Sequence, residues 1–177
     1  NGDEVRGDEF NPSNLAFVAL GALILWFGWF GFNAGSTVAI SGLNAEIAGH
    51  CATTTTLGGA TGGLISFILY RAKTGRFDVA AFLNGTLAGL VSITAGTNNL
   101  DTHVAVFCGA VGACILFGVD YLFNTLGMKS AVKIDDPLNA FAVHGACGAW
   151  GVLAVGLFDL DSGVVYGNGA DVVLIPN

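Results

Sequence analysis

The strongest constraint on this chain is where its charges are missing. No Asp, Glu, Lys or Arg occurs from Phe10 to Ala45, from Ile47 to Tyr70, from Val79 to Leu100, from Thr102 to Val119, or from Pro137 to Phe158. Each run is at least 18 residues long, and a helix that crosses a bilayer needs about 20 predominantly apolar residues. One such run could be a buried core helix. Five in succession would leave a soluble protein too little polar surface to meet water. Composition agrees: 11% of the 177 residues are charged and 53% are hydrophobic, against about 25% charged in soluble domains. Mean hydropathy is +0.68. The pattern predicts an all-α integral membrane protein.

The runs predict five transmembrane helices over 14–36, 45–70, 79–97, 103–126 and 137–158. They divide the chain into a polar segment at 1–13, a membrane domain at 14–158 and a tail at 159–177 that reads as loop with some extended structure. The links are short, so successive helices should be antiparallel neighbours. Asn1 to Glu9 is polar and acidic, with neither a signal peptide nor an initiator Met. The chain therefore reads as an interior piece of something longer, or as a processed product.

Orientation follows from six basic residues: Arg6, Arg71, Lys73, Arg76, Lys129 and Lys133. Five crossings put all six on one side, in the N-terminal segment and in the 71–78 and 127–136 loops. The positive-inside rule makes that side cytoplasmic. The N-terminus of this chain is then cytoplasmic and its tail extracytoplasmic. Four or six crossings would break the sorting.

Several function classes are disfavoured. The four cysteines, Cys51, Cys108, Cys114 and Cys147, lie within the apolar runs and form no CxxC pair. They read as small packing residues rather than a disulfide framework or a zinc site. The net charge of −7 offers no basic stripe for nucleic acid. Gly58 and Gly62, Gly59 and Gly63, and Gly85 and Gly89 stand four apart, the spacing that lets membrane helices approach closely. Thr53 to Thr56 can hydrogen-bond to their own helix and so need not line a pore.

Two segments carry chemistry. In the first helix Leu25, Trp29, Phe32 and Ser36 fall on one stripe, which lipid or packing could equally use. The run Gly31 to Ser36 then ends an aromatic helix in Gly, Asn and Ser, which suits a polar vestibule. In the last helix Asp135-Asp136-Pro137 predicts Asp136 as the cap and Pro137 at the first helical position. On that count His144 lies roughly 12 Å into the helix, at about 1.5 Å per residue. Asp136, Ala140, His144 and Gly148 share its face. An ionisable group at such depth marks a functional site by default. A core histidine bonded to a helix carbonyl remains the competing reading. His50 and His103, near helix ends, read as interfacial.

Three motifs resemble signatures of the ammonium transporter family. They are Leu25-Trp26-Phe27-Gly28-Trp29-Phe30-Gly31-Phe32-Asn33-Ala34-Gly35-Ser36, then Asn84 to Val91 with Ile93-Thr94-Ala95-Gly96, then Asp135-Asp136-Pro137 with Phe141 to Gly148. They occur in the family's order over nearly the whole chain. The resemblance implies two inverted five-helix repeats, of which this chain is the second, and a homotrimer with one pore per subunit. It implies that Phe32 is one of two stacked gating phenylalanines, that Ser36 helps receive ammonium outside the gate, and that Trp29 lines the pore. It makes His144 one of two paired pore histidines and Asp136 the counterpart of a structural acid in the first repeat.

The first repeat is absent from this sequence, and with it the other histidine and the other gating phenylalanine. The chain is expected to act only with that missing repeat, in a lipid bilayer, in the plasma membrane. The resemblance implies ammonium or ammonia as the cargo, with no enzyme activity, cofactor, metal or nucleic-acid partner. Two other readings stand beside transport: an ammonium sensor, and a channel repeat serving as a structural membrane subunit.

Overall fold

The computed structural model describes residues 14–123 and 136–166. Among the described residues the chain is helical, with turns between the helices and no strand. Helix α1 spans Leu15–Asn33 and continues as a 3-10 turn, Ala34–Thr37. Helix α2 spans Leu43–Thr74, α3 Val79–Thr94 and α4 Thr102–Leu122. Helix α5 spans Phe141–Phe158, its first part, Phe141–Ala146, being π-helical. The polar segment at 1–13 and the basic residues Arg6, Lys129 and Lys133 lie outside the described residues.

Local chemistry sets the helix ends. Asn14 Oδ1 accepts from the Ala16 backbone N–H at 2.9 Å, Asp78 from Ala81 at 3.0 Å, and Asp101 from His103 at 2.8 Å, each answering an orphan donor of a first turn. Helix α2 runs four residues beyond the expected limit. It ends at Gly75, whose φ of +73° suits a residue without Cβ. Arg71 and Lys73 thus lie in its last turn, where the helix dipole favours positive charge.

The beginning of α5 departs from expectation. Asp136 to Asn139 form a turn, with the Asn139 N–H donating to the Asp136 carbonyl at 3.0 Å. Pro137 occupies the second turn position, where its fixed φ is also favoured. Asp-Pro is both a helix-start and a turn signal, and here the turn wins. The Asp136 carboxylate still reaches the helix, accepting from the Ala142 N–H at 3.0 Å. His144 is consequently in the opening π-helical segment rather than two turns in.

Helix α3 touches each of the other four helices. Its contact with α2 depends on glycine. A Cβ on Gly62 would meet the Gly85 carbonyl and come within 2.8 Å of the Gly89 Cα, so the two backbones are close enough to exclude side chains. Thr53, Thr54, Thr55 and Thr56 all donate to carbonyls one turn back in α2. The Thr54 hydroxyl shares its one proton with the Thr97 carbonyl, 2.9 Å away, tying α2 to the α3–α4 link. Three of the cysteines are buried and Cys114 is exposed; all four are free thiols.

Among the described residues, three helical segments are long and apolar enough to cross a membrane: Leu15–Thr37, Thr102–Leu122 and Phe141–Phe158. Helix α2 has ample length, but Gly, Thr and charged residues at its ends dilute its hydropathy. Helix α3, at 16 residues, falls short of the usual span. Large apolar side chains face outward, among them Phe17, Leu23 and Phe27 of α1.

Candidate functional site

Two cavities meet at one aromatic ring. The outer, of about 330 Å³, is lined by Phe32, Asn33, Ser36 and Thr37 of the first helix and its extension, by Asn44, Ile47 and Cys51 of α2, and by Thr94, Thr97 and Asn98. The other, a groove of about 570 Å³, is lined by Ile24, Leu25, Gly28, Trp29 and Phe32 of α1, by Val91, Thr94 and Ala95, and by His144 and Gly148 of α5. Phe32 and Thr94 belong to both. The first cavity is rich in amides and hydroxyls; the groove is mostly hydrocarbon and aromatic.

The expected stripe on α1 is therefore divided by function. Leu25 and Trp29 face the groove, Ser36 faces the outer cavity, and Phe32 separates them. Trp29 and Phe32 meet edge to face, ring centroids 6.4 Å apart at 72°. The Trp29 indole N–H donates to Thr94 Oγ1 at 2.8 Å, and the Thr94 hydroxyl donates to the Leu90 carbonyl at 2.7 Å. Ser36 donates its hydroxyl proton to the Phe32 carbonyl. That leaves the Ser36 oxygen as an acceptor facing the cavity.

His144 is exposed on the groove wall. It makes no hydrogen bond with the described residues, so the competing picture of a core histidine bonded to a helix carbonyl does not hold. A π-helical segment carries an extra residue per turn and is frequent at functional sites; this one, with Asn139 at φ +54° just before it, sets where the imidazole points. Asp136 lines neither cavity, and its carboxylate is committed to the start of α5. His50 Nε2 is bonded to the Leu100 carbonyl at 2.9 Å, and His103 pairs with Asp101 at 2.7 Å on the surface. Backbone and imidazole hydrogen bonds from His103 hold the Asp101 carboxyl below its usual range.

The structure places Trp29, Phe32 and His144 together in the groove and Ser36 with Phe32 in the other cavity, and adds Asn33 and Thr94, which were not singled out from the sequence. Asn33 is buried and donates to Thr55 Oγ1 at 3.0 Å. A lone amide among the aromatics of α1 was a usable signal. Thr94 stands in the motif Ile93-Thr94-Ala95-Gly96, but no local spacing marked it out, because its partner is 65 residues away.

Membrane-length apolar helices and close glycine-mediated packing define an all-helical membrane protein. The chain belongs to the Ammonium Transporter Family, whose model matches residues 2–174. It is 38% identical over 174 residues to "Ammonium transporter 1 member 3" of Solanum lycopersicum, covering 93% of this chain and 36% of that protein. It is 42% identical over 151 residues to "Putative ammonium transporter 1 member 5" of Arabidopsis thaliana, covering 81% and 29%. The crystal structure of Candida albicans Mep2 superposes with a TM-score of 0.73 at 33% identity, covering 85% of this chain and 31% of that one. A structure titled "Sensor Amt Protein" superposes with a TM-score of 0.73 at 32% identity, covering 87% and 38%. The chain thus spans about a third of the length of these relatives.

Proposed function

We propose that this chain forms one wall of a pore that carries ammonium, as ammonia, across a membrane. The observation that carries the reading is Phe32. One ring lines both a polar outer cavity and an apolar groove in which His144 is the one titratable side chain among the described residues. Ammonium is received by the Ser36 oxygen, the neighbouring amides and the face of Phe32, the last through cation–π attraction. A bare cation is costly in a narrow apolar passage. The proton therefore leaves the nitrogen before the groove and crosses separately by way of the His144 imidazole, while neutral ammonia passes Trp29 and His144. A neutral imidazole donates with one nitrogen and accepts with the other, so His144 can hold ammonia or relay a proton. Asp136 acts by anchoring α5.

The exposure of His144 on an open groove favours a partner wall from the missing repeat, with the complete pore then assembled as a homotrimer. All five helices cross the bilayer in this reading, with the basic 71–76 segment on the cytoplasmic side of the plasma membrane. The test uses the complete protein in liposomes. His144→Ala should abolish or alter ammonium-dependent current. Unchanged current with unchanged selectivity over potassium would remove His144 from the pathway.

The likeness to a sensor protein favours one second reading, in which the same cavities bind ammonium for signalling. A signalling domain in the complete protein, together with no flux in liposomes, would establish it over transport.

A further inference from the structure

We infer that Thr94 is a positioning and selectivity residue: its oxygen fixes the Trp29 ring against Phe32, and so sets the size of cargo that passes. The inference rests on the pore reading above. Helix α1 packs lightly within the chain, with only 6% of the residues of its apolar span buried. Hydrophobic on every side, it has no amphipathic face to prescribe which residues turn inward. Two side-chain hydrogen bonds supply that information, Asn33 to Thr55 and Trp29 to Thr94. The second lies where the two cavities share residues.

Its polarity is fixed. Thr94 gives its only proton to the Leu90 carbonyl, so towards Trp29 its oxygen can only accept. The indole N–H is used by that oxygen at 2.8 Å. Neither group then has a proton to offer a molecule in the groove. The wall between Phe32 and His144 presents ring faces and hydrocarbon, leaving hydrogen-bond donation along it to His144. Thr94 also lines both cavities, so a displaced Trp29 would widen the passage where the two meet.

Complete protein with ¹⁵N-labelled Trp, reconstituted in lipid, tests this with Thr94→Val, Thr94→Ser and Trp29→Phe. Valine keeps the shape and removes the acceptor. It should move the Trp29 indole N–H resonance and raise methylammonium flux relative to ammonium flux by roughly threefold to tenfold, the scale of one net hydrogen bond. Serine should restore both. In the Trp29→Phe background, Thr94→Val should change the flux ratio no further. An unmoved resonance, an unchanged ratio in Thr94→Val, or additive effects with Trp29→Phe would each overturn the inference. Loss of both fluxes in proportion, with no change in their ratio, would also overturn it. A parent protein that carries no ammonium would sink the pore reading instead, while the resonance in the valine and serine variants would still decide whether Thr94 holds Trp29.

Discussion

At the scale of single residues, polar groups in this chain are placed by what they must satisfy. Asp159 shows the rule outside the membrane segments. Its carboxylate accepts from the backbone N–H of Asp161 at 2.9 Å and of Ser162 at 2.8 Å, from the Ser162 hydroxyl, and from Asn99 Nδ2 at 3.1 Å. Burial pushes its pKa up, but these donors outweigh burial and the group stays below the ordinary carboxylate range. A carboxyl with a lowered folded pKa contributes stability in full above its unfolded value, about 3.9. The contribution fades as pH falls through the lower folded value. The melting temperature of the complete protein should therefore exceed that of Asp159→Asn by a constant margin from neutral pH down to about 4, and the margin should shrink below that. A margin that persists unchanged to about pH 3 would show that the donors hold no charge-dependent advantage. Thr94 obeys the same rule inside the bundle, yet a sequence offers no way to see its distant indole partner.

At the scale of elements, close helix approach replaces a large apolar core. Gly62→Ala in the complete protein should lower the melting temperature, because the new methyl meets the Gly85 carbonyl and the Gly89 backbone; overpacking of this kind costs about 1–3 kcal/mol. Gly21→Ala in α1 meets nothing within 4 Å and should be neutral or slightly stabilising, since Ala favours helix over Gly by up to about 1 kcal/mol. Equal effects at the two sites would refute the close-packing account. The glycine spacing was legible beforehand because it repeats every four residues along α2 and α3. Helix existence was equally legible from the missing charges. Helix ends were less so. Charge marked where a membrane should stop, whereas α2 stops only at Gly75. Asp136-Pro137 obeyed turn geometry rather than helix-start geometry, a choice between two local minima that tertiary packing decides.

At the scale of the whole molecule, the aromatic rings and the imidazole singled out in α1 and α5 gather on one groove, while the described helices elsewhere present many large apolar side chains. Leu25, Trp29, Phe32 and His144 come from two helices that are far apart in sequence and face one groove. Their convergence was expected from the family resemblance and had no basis in spacing alone. Asp136, expected as a structural acid and not as a lining residue, bonds to the start of α5. The π-helical segment Phe141–Ala146 bears on how such a molecule can change by gain or loss of codons. An ordinary helix cannot lose a residue without rotating everything upstream, and a π segment is a helix that already holds one residue too many. Deleting Gly145 would let the backbone heal into a regular α-helix, so the protein should still be made and inserted. The cost is angular: an α-helix turns about 100° per residue and a π segment less, so His144 would take a different direction relative to Gly148, and ammonium flux should fall to the level of His144→Ala while the melting temperature stays near that of the parent. The segment is then a place where a single in-frame deletion preserves the fold and aims the imidazole elsewhere.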